Sequence, residues 1–164
     1  MSGILRNLLT VLCSIFRYGS ERSATVTTNF VITPLDTGIA VLKSDRYLQL
    51  AEAAQLDMLI RTGLIGILLR SGYQFVNLAQ LIKFARPVPV FSRVTVVSHV
   101  AYWDEKSAVF EHLFSLRGAQ CARVLVRMKF KRHGRTVAPS IVLGTCLVEK
   151  PRHLTDWENL ISIL

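Results

Sequence analysis

From Ser44 to Gly63 the chain reads SDRYLQLAEAAQLDMLIRTG, and its apolar residues return at a helical interval. At about 100° per residue, Tyr47, Leu48, Ala51, Ala54, Met58 and Leu59 gather on one side, with Arg46, Gln49, Asp57 and Arg61 opposite. The stretch Asp45 to Gly63 is therefore expected to be one long, central helix with one buried side. Ala51 and Ala54 stand at the middle of that side, so a sheet can approach the helix axis closely. Gln55 falls inside the apolar arc and Glu52 on its flank. Buried polar groups need partners, so these two are either satisfied within the fold or held for a ligand.

The pattern changes on both sides of this helix. Residues 4–18, ILRNLLTVLCSIFRY, form a second amphipathic helix candidate, with Arg6, Asn7, Thr10, Cys13, Ser14 and Arg17 on its polar arc. Gly19 to Ser23 is a short polar linker. The β-branched run Ala24 to Thr33 reads as a strand ended by Pro34 and the turn-prone Asp36-Thr37-Gly38. After a helical piece at Leu64 to Arg70, closed by Ser71-Gly72, the period shortens to two. Strands are expected at Phe75 to Phe84, Phe91 to Trp103, Ala108 to Leu116 and Cys121 to Lys131, with Ile141 to Val148 as an edge strand or an extension. The Cys121 strand alternates cleanly: Ala122, Val124, Val126, Met128 and Phe130 on one face, Arg123, Leu125, Arg127, Lys129 and Lys131 on the other. Leu154 to Leu164 reads as a short helix.

The predicted class is α+β: a curled antiparallel sheet of about five to six strands, its apolar face wrapped around the central helix. Three segments follow: residues 1–22 as amphipathic helix and linker, 23–150 as the domain, and 151–164 as a helical tail. Leu125, apolar among charges on the outer sheet face, marks a candidate subunit contact.

Composition sharpens the picture in two ways. With 164 residues, 51% of them hydrophobic, and a mean hydropathy of +0.37, the chain implies a buried interface or a membrane contact. A net charge of +9 favours anionic partners, or else forms a solvated basic face. The 4–18 segment is too short and too interrupted to span a bilayer. It suits an anionic membrane surface, a partner's groove or its own domain. Cys13, Cys121 and Cys146 lack disulfide or metal-ligand spacing. A cytoplasmic, reducing location is expected, peripheral to a membrane if residues 4–18 engage one. Neither a metal nor a cofactor is expected. Nucleic acid is not an expected partner, because the basic strand carries no stacking aromatics on its charged face.

Three stretches carry a family resemblance: Arg46 to Leu64 (RYLQLAEAAQLDMLIRTGL), Ile82 to Phe114 (IKFARPVPVFSRVTVVSHVAYWDEKSAVFEHLF) and Val124 to Phe130 (VLVRMKF). Together they resemble the hotdog fold, and within it the 4-hydroxybenzoyl-CoA thioesterase-like branch, nearest to its small members with an apolar N-terminal segment. The likeness spans about Thr27 to Pro139. It implies hydrolysis of an acyl thioester, coenzyme A or acyl carrier protein, at a subunit interface in a homodimer or homotetramer. The branch typically shows an aspartate, a run ending His-Val/Met-Asn-Asn, two more residues and the tyrosine that opens the central helix. Counted back from Tyr47, Val41 stands at the histidine position and Lys43 and Ser44 at the asparagines. Thr37 stands at the aspartate position, with Asp36 one place earlier.

The resemblance makes Asp36, Glu52 and Thr37 the catalytic candidates. A carboxylate would activate water or attack the carbonyl, and amides at the helix start would hold the oxyanion. Asp36 in Pro-Leu-Asp-Thr-Gly is also an ordinary turn residue, and Glu52 equally suits a structural arginine partner. Tyr47, Ser44, Lys43, Gln55, Lys83 and Arg86 are the substrate-binding candidates; Arg93, Arg127, Lys129, Lys131 and Arg132 add basic candidates for phosphates. His99 and His112 have no metal-ligand company and read as structural. Three functions stay open: a thioesterase, a non-hydrolytic or differently catalytic acyl binder, and a membrane-surface interaction protein.

Overall fold

A computed structural model of the chain describes Leu12, residues 25–146 and residues 149–163. Leu12 aside, the 4–18 segment lies outside the described residues. The chain runs β1 (Thr25–Val31), α1 (Ser44–Arg61), α2 (Leu64–Ser71), β2 (Gln74–Phe84), β3 (Arg93–Trp103), β4 (Ala108–Leu116), β5 (Ala119–Arg132), β6 (Arg135–Val137), α3 (Ser140–Leu143) and α4 (Arg152–Ile163). All ladders are antiparallel, in the order β1-β3-β4-β5-β2, with β6 added to β5. Gly63 (φ 78°) and Gly72 (φ 64°) supply the left-handed residues that separate α1 from α2 and end α2.

The alternation of β5 sets the layers. Ala122, Val124, Val126, Met128 and Phe130 all face the core and are 0–1% exposed. Phe110 and Phe114 from β4 join them against Ala51, Ala54 and Met58 of α1, the burial of each phenylalanine worth about 1.5–3 kcal/mol. Small α1 residues thus let the helix sit deep in the curl of the sheet, as the pattern predicts.

Three expectations are corrected. Asp57 and Arg61, which the wheel places on the polar side, are 6% and 7% exposed. The α1 helix is buried on a second side against β1, where Asp57 accepts from Thr28 Oγ1 at 2.5 Å and Arg61 Nη1 donates to Thr27 O at 2.8 Å. An ion pair at 3.3 Å joins the two residues. Ile141 to Val148 contains no strand among its described residues: α3 and coil occupy 140–146, and the sixth strand is Arg135–Val137, paired at Arg132↔Arg135. Pro139 at the N-cap turns the chain out of the sheet. Finally, Leu125 faces its own chain. Leu154 and Trp157 of α4 cover it together with Val109, and Glu158 pairs with Lys150 and with Arg127.

Candidate functional site

The segment between β1 and α1 folds into a compact loop held by its own polar residues. Asp36 is 1% exposed. Its Oδ2 accepts from Thr33 N at 3.0 Å and Thr33 Oγ1 at 2.7 Å, a reciprocal cap of the single turn Pro34–Asp36. The spacing Thr33-x-x-Asp36 was legible as a capping signature, a signal the sequence reasoning missed. Thr37 Oγ1 donates to Pro34 O at 3.0 Å, and Thr37 bridges Leu42 across the tight turn Gly38–Val41. The backbone carbonyl of Asp36 accepts from Lys43 N at 3.1 Å, so the loop ends directly on the start of α1. Lys43 is the N-cap and puts no side-chain bond on the first turn. Lys43 and Ser44 are exposed.

A second loop closes beside the first. Leu42 N donates to Val88 O at 2.8 Å, Val90 N donates to Ala40 O at 3.0 Å, and Val41 bridges Pro89. Arg86 lies at the root of this loop, its amide on Cys121 O at 3.1 Å, its side chain exposed. Lys43, Ser44 and Arg86 are thus brought to one end of the sheet. Lys83 is separated from them: Ile82 and Phe84 face α1, so the pleat turns Lys83 to the outer face, opposite Arg123. The same pleat puts Arg127, Lys129 and Lys131 on the outer face. Arg127 serves Ser107 and Glu158 there, and Arg132 stacks over Tyr73 at 5.8 Å.

Tyr47 forms the floor. Its ring meets Phe84 at 5.2 Å and Phe114 at 5.5 Å, both edge-on. Burial, then the neighbouring Cys121, pushes the Tyr47 hydroxyl up to about 12, so it stays protonated. Burial likewise raises the Cys121 thiol. Phe84, Phe114 and Cys121 are site neighbours that no sequence spacing revealed, because strand register brings them together.

Glu52 and Gln55 take up a different side of α1. Gln55 is 5% exposed, whereas Glu52 is exposed. On the helix wheel, Leu48 stands opposite Asp57, with Gln55 and Glu52 on either side of it. Asp57 touches β1, at one edge of the sheet, so this flank is turned away from β1. Among the described residues no strand pairs with the outer edge of the eleven-residue β2, where Phe75, Val76, Leu78, Leu81 and Phe84 are each 38–48% exposed. Among the described residues no group of three or more His, Cys, Asp or Glu is placed to hold a metal. No described helix is long and apolar enough to cross a membrane.

The family model of the thioesterase-like superfamily matches residues 32–145. The chain belongs to that superfamily. Solved structures share the architecture. YbaW of Escherichia coli, described as a probable thioesterase, is 17% identical with a TM-score of 0.68, covering 72% of this chain and 96% of its own. The DHNA-CoA thioesterase of Staphylococcus aureus is 13% identical with a TM-score of 0.62, over 84% and 89%. A hypothetical thioesterase from Streptococcus pneumoniae, solved with coenzyme A, is 10% identical with a TM-score of 0.54, over 66% and 79%. No curated protein matches the chain. The architecture is the hotdog fold expected from the sequence.

Proposed function

We propose that this chain hydrolyses an acyl thioester of coenzyme A or an acyl carrier protein, in a groove completed when a second copy pairs along β2. The observation that carries the reading is the placement of Glu52. It is exposed on the flank of α1 opposite the one that packs on β1, in a chain of the thioesterase-like superfamily. Glu52 is the general base in this reading. Asp36 is withdrawn from water and held by two Thr33 donors, which suits a side chain that shapes the loop rather than one that activates water. The first-turn amides of α1, with the helix dipole behind them, supply oxyanion stabilisation. Lys43 and Arg86 receive substrate phosphates, and Tyr47 and Gln55 line the acyl side. The β2 edge supports the pairing: a long, apolar edge strand left open is a template for another strand. The S. pneumoniae structure with coenzyme A supports the substrate class.

The test is release of free thiol from a panel of short, long and aromatic acyl-CoAs. Glu52→Gln should lower turnover by about 10²-fold or more, the usual contribution of a general base, with the fold unchanged. Turnover undiminished in Glu52→Gln would refute the assignment. A second reading, an acyl binder without hydrolysis, is favoured by one feature: Val41, Lys43 and Ser44 stand at the positions where the branch typically carries its histidine and asparagines. It predicts saturable acyl-CoA binding with no thiol release in the parent protein.

A further inference from the structure

The strand registers gather one end of the molecule. Val31 pairs with Arg93, Leu116 with Ala119 and Phe84 with Ala122, and the 32–43 and 85–92 loops lie at the same end. Their tips are apolar and uncovered: Leu35 is 65% exposed, Ile39 105%, Val41 44% and Phe91 74%. Phe91 is held out on a left-handed backbone (φ 63°), a conformation that costs a bulky residue energy and that the amide bond to Ile32 O at 2.8 Å helps to fix. Around these tips stand four exposed cations, Lys43, Arg86, Arg93 and Arg117. The exposed carboxylate of this end, Asp45, pairs with Arg46 at 3.6 Å, and Asp36 is buried.

Apolar tips inside a cationic rim match an anionic lipid interface better than an aqueous one. The tips gain by leaving water, and each rim cation gains by about 1 kcal/mol near an anionic headgroup, or about five-fold in partitioning. We propose that this end docks on an anionic lipid surface, with Ile39 and Phe91 entering the interface and Arg93 and Arg117 contacting phosphate-bearing headgroups. The contact is distinct from any made by residues 4–18 and does not depend on the hydrolytic reading.

The experiment measures co-sedimentation of the full chain with vesicles of phosphatidylcholine, with and without phosphatidylserine. Binding is expected only when phosphatidylserine is present. Ile39→Asp with Phe91→Asn should weaken it by at least about ten-fold for each position, from the apolar transfer lost; asparagine suits the left-handed backbone at Phe91 and preserves the turn. Arg93→Gln with Arg117→Gln should weaken it by about five-fold for each charge. Residues 4–18 are intact in both variants. Undiminished binding in both would overturn the proposal and assign vesicle binding to that segment. A fall in molecular mass of the apolar variant would overturn it as well, because a second copy would then cover the tips. Unchanged mass and thermal midpoint with lost vesicle binding would establish it.

Discussion

His112 offers the sharpest test of the core. It is fully buried, its Nδ1 lies 2.8 Å from Ser98 Oγ, and its Nε2 meets no hydrogen-bond partner among the described residues. Burial first, then the nearby His99, hold its pKa at about 3 instead of 6.5, against the opposing pull of Glu111. The unfolded chain therefore binds a proton in this window that the folded chain refuses. The stability contributed by a neutral His112 is complete above about pH 6.5 and is lost as pH falls toward 3. At about pH 5 the loss is one and a half pH units at about 1.36 kcal/mol each, about 2 kcal/mol. Glu111 and Asp104, whose carboxyls are lowered, lose their contributions only below the ordinary carboxylate range. Between neutrality and pH 5, comparison with a variant that lacks His112 therefore reads the histidine. Replacing both partners, Ser98→Ala with His112→Leu, removes the titration and leaves no orphaned polar atom, so it should be nearly neutral in stability at pH 7. Urea unfolding at pH 7 and pH 5, at one fixed protein concentration, reads the difference. The parent should lose about 2 kcal/mol more than the double variant. Equal losses within about 0.5 kcal/mol would show that His112 is accessible to protons, and the argument from burial would fail.

Glu111 carries the complementary effect. Burial alone would raise its carboxyl, but hydrogen bonds from His99 and Arg123 and their charges bring it to about 2 from 4.5. Its stabilisation is therefore complete above about pH 4.5 and is lost as pH falls to 2, and Glu111→Gln should cost about 1.5–3 kcal/mol at pH 7 by urea titration. On the outer face, Leu154→Ala should cost about 2–4 kcal/mol, since the side chain is fully buried against Val109 and Leu125. Glu158→Gln, whose pairs with Lys150 and Arg127 are part-exposed, should cost at most about 1 kcal/mol; a reversed ranking would mean that charge, not apolar burial, holds α4. If β2 is the pairing edge, Leu81→Lys should halve the mass seen by sedimentation velocity, and an unchanged mass would point the assembly elsewhere.

Much of the architecture was written in period alone. The alternation of Ala122 to Phe130, the small residues Ala51 and Ala54, and the shift from helical to twofold spacing after Gly72 are local properties of consecutive residues, and they sufficed for the central helix, the four main strands and the curled sheet. Local pattern also suggested that Asp36 belonged to a turn. What it could not supply were contacts that depend on register and on how far the sheet curls. Asp57 and Arg61 look solvent-facing on a wheel that assumes one buried side, yet β1 wraps a second side of α1 and buries both. Leu125 looks free until α4, thirty residues later, returns to cover it. Lys83 and Arg86, three apart in sequence, are parted by the pleat of a strand and a loop. Phe84, Phe114 and Cys121 meet around Tyr47 only because three strands and a helix end at the same place. Side-chain chemistry was readable one residue at a time; which side chains share a site was decided by tertiary packing, because a few ångströms of register or curl choose each neighbour.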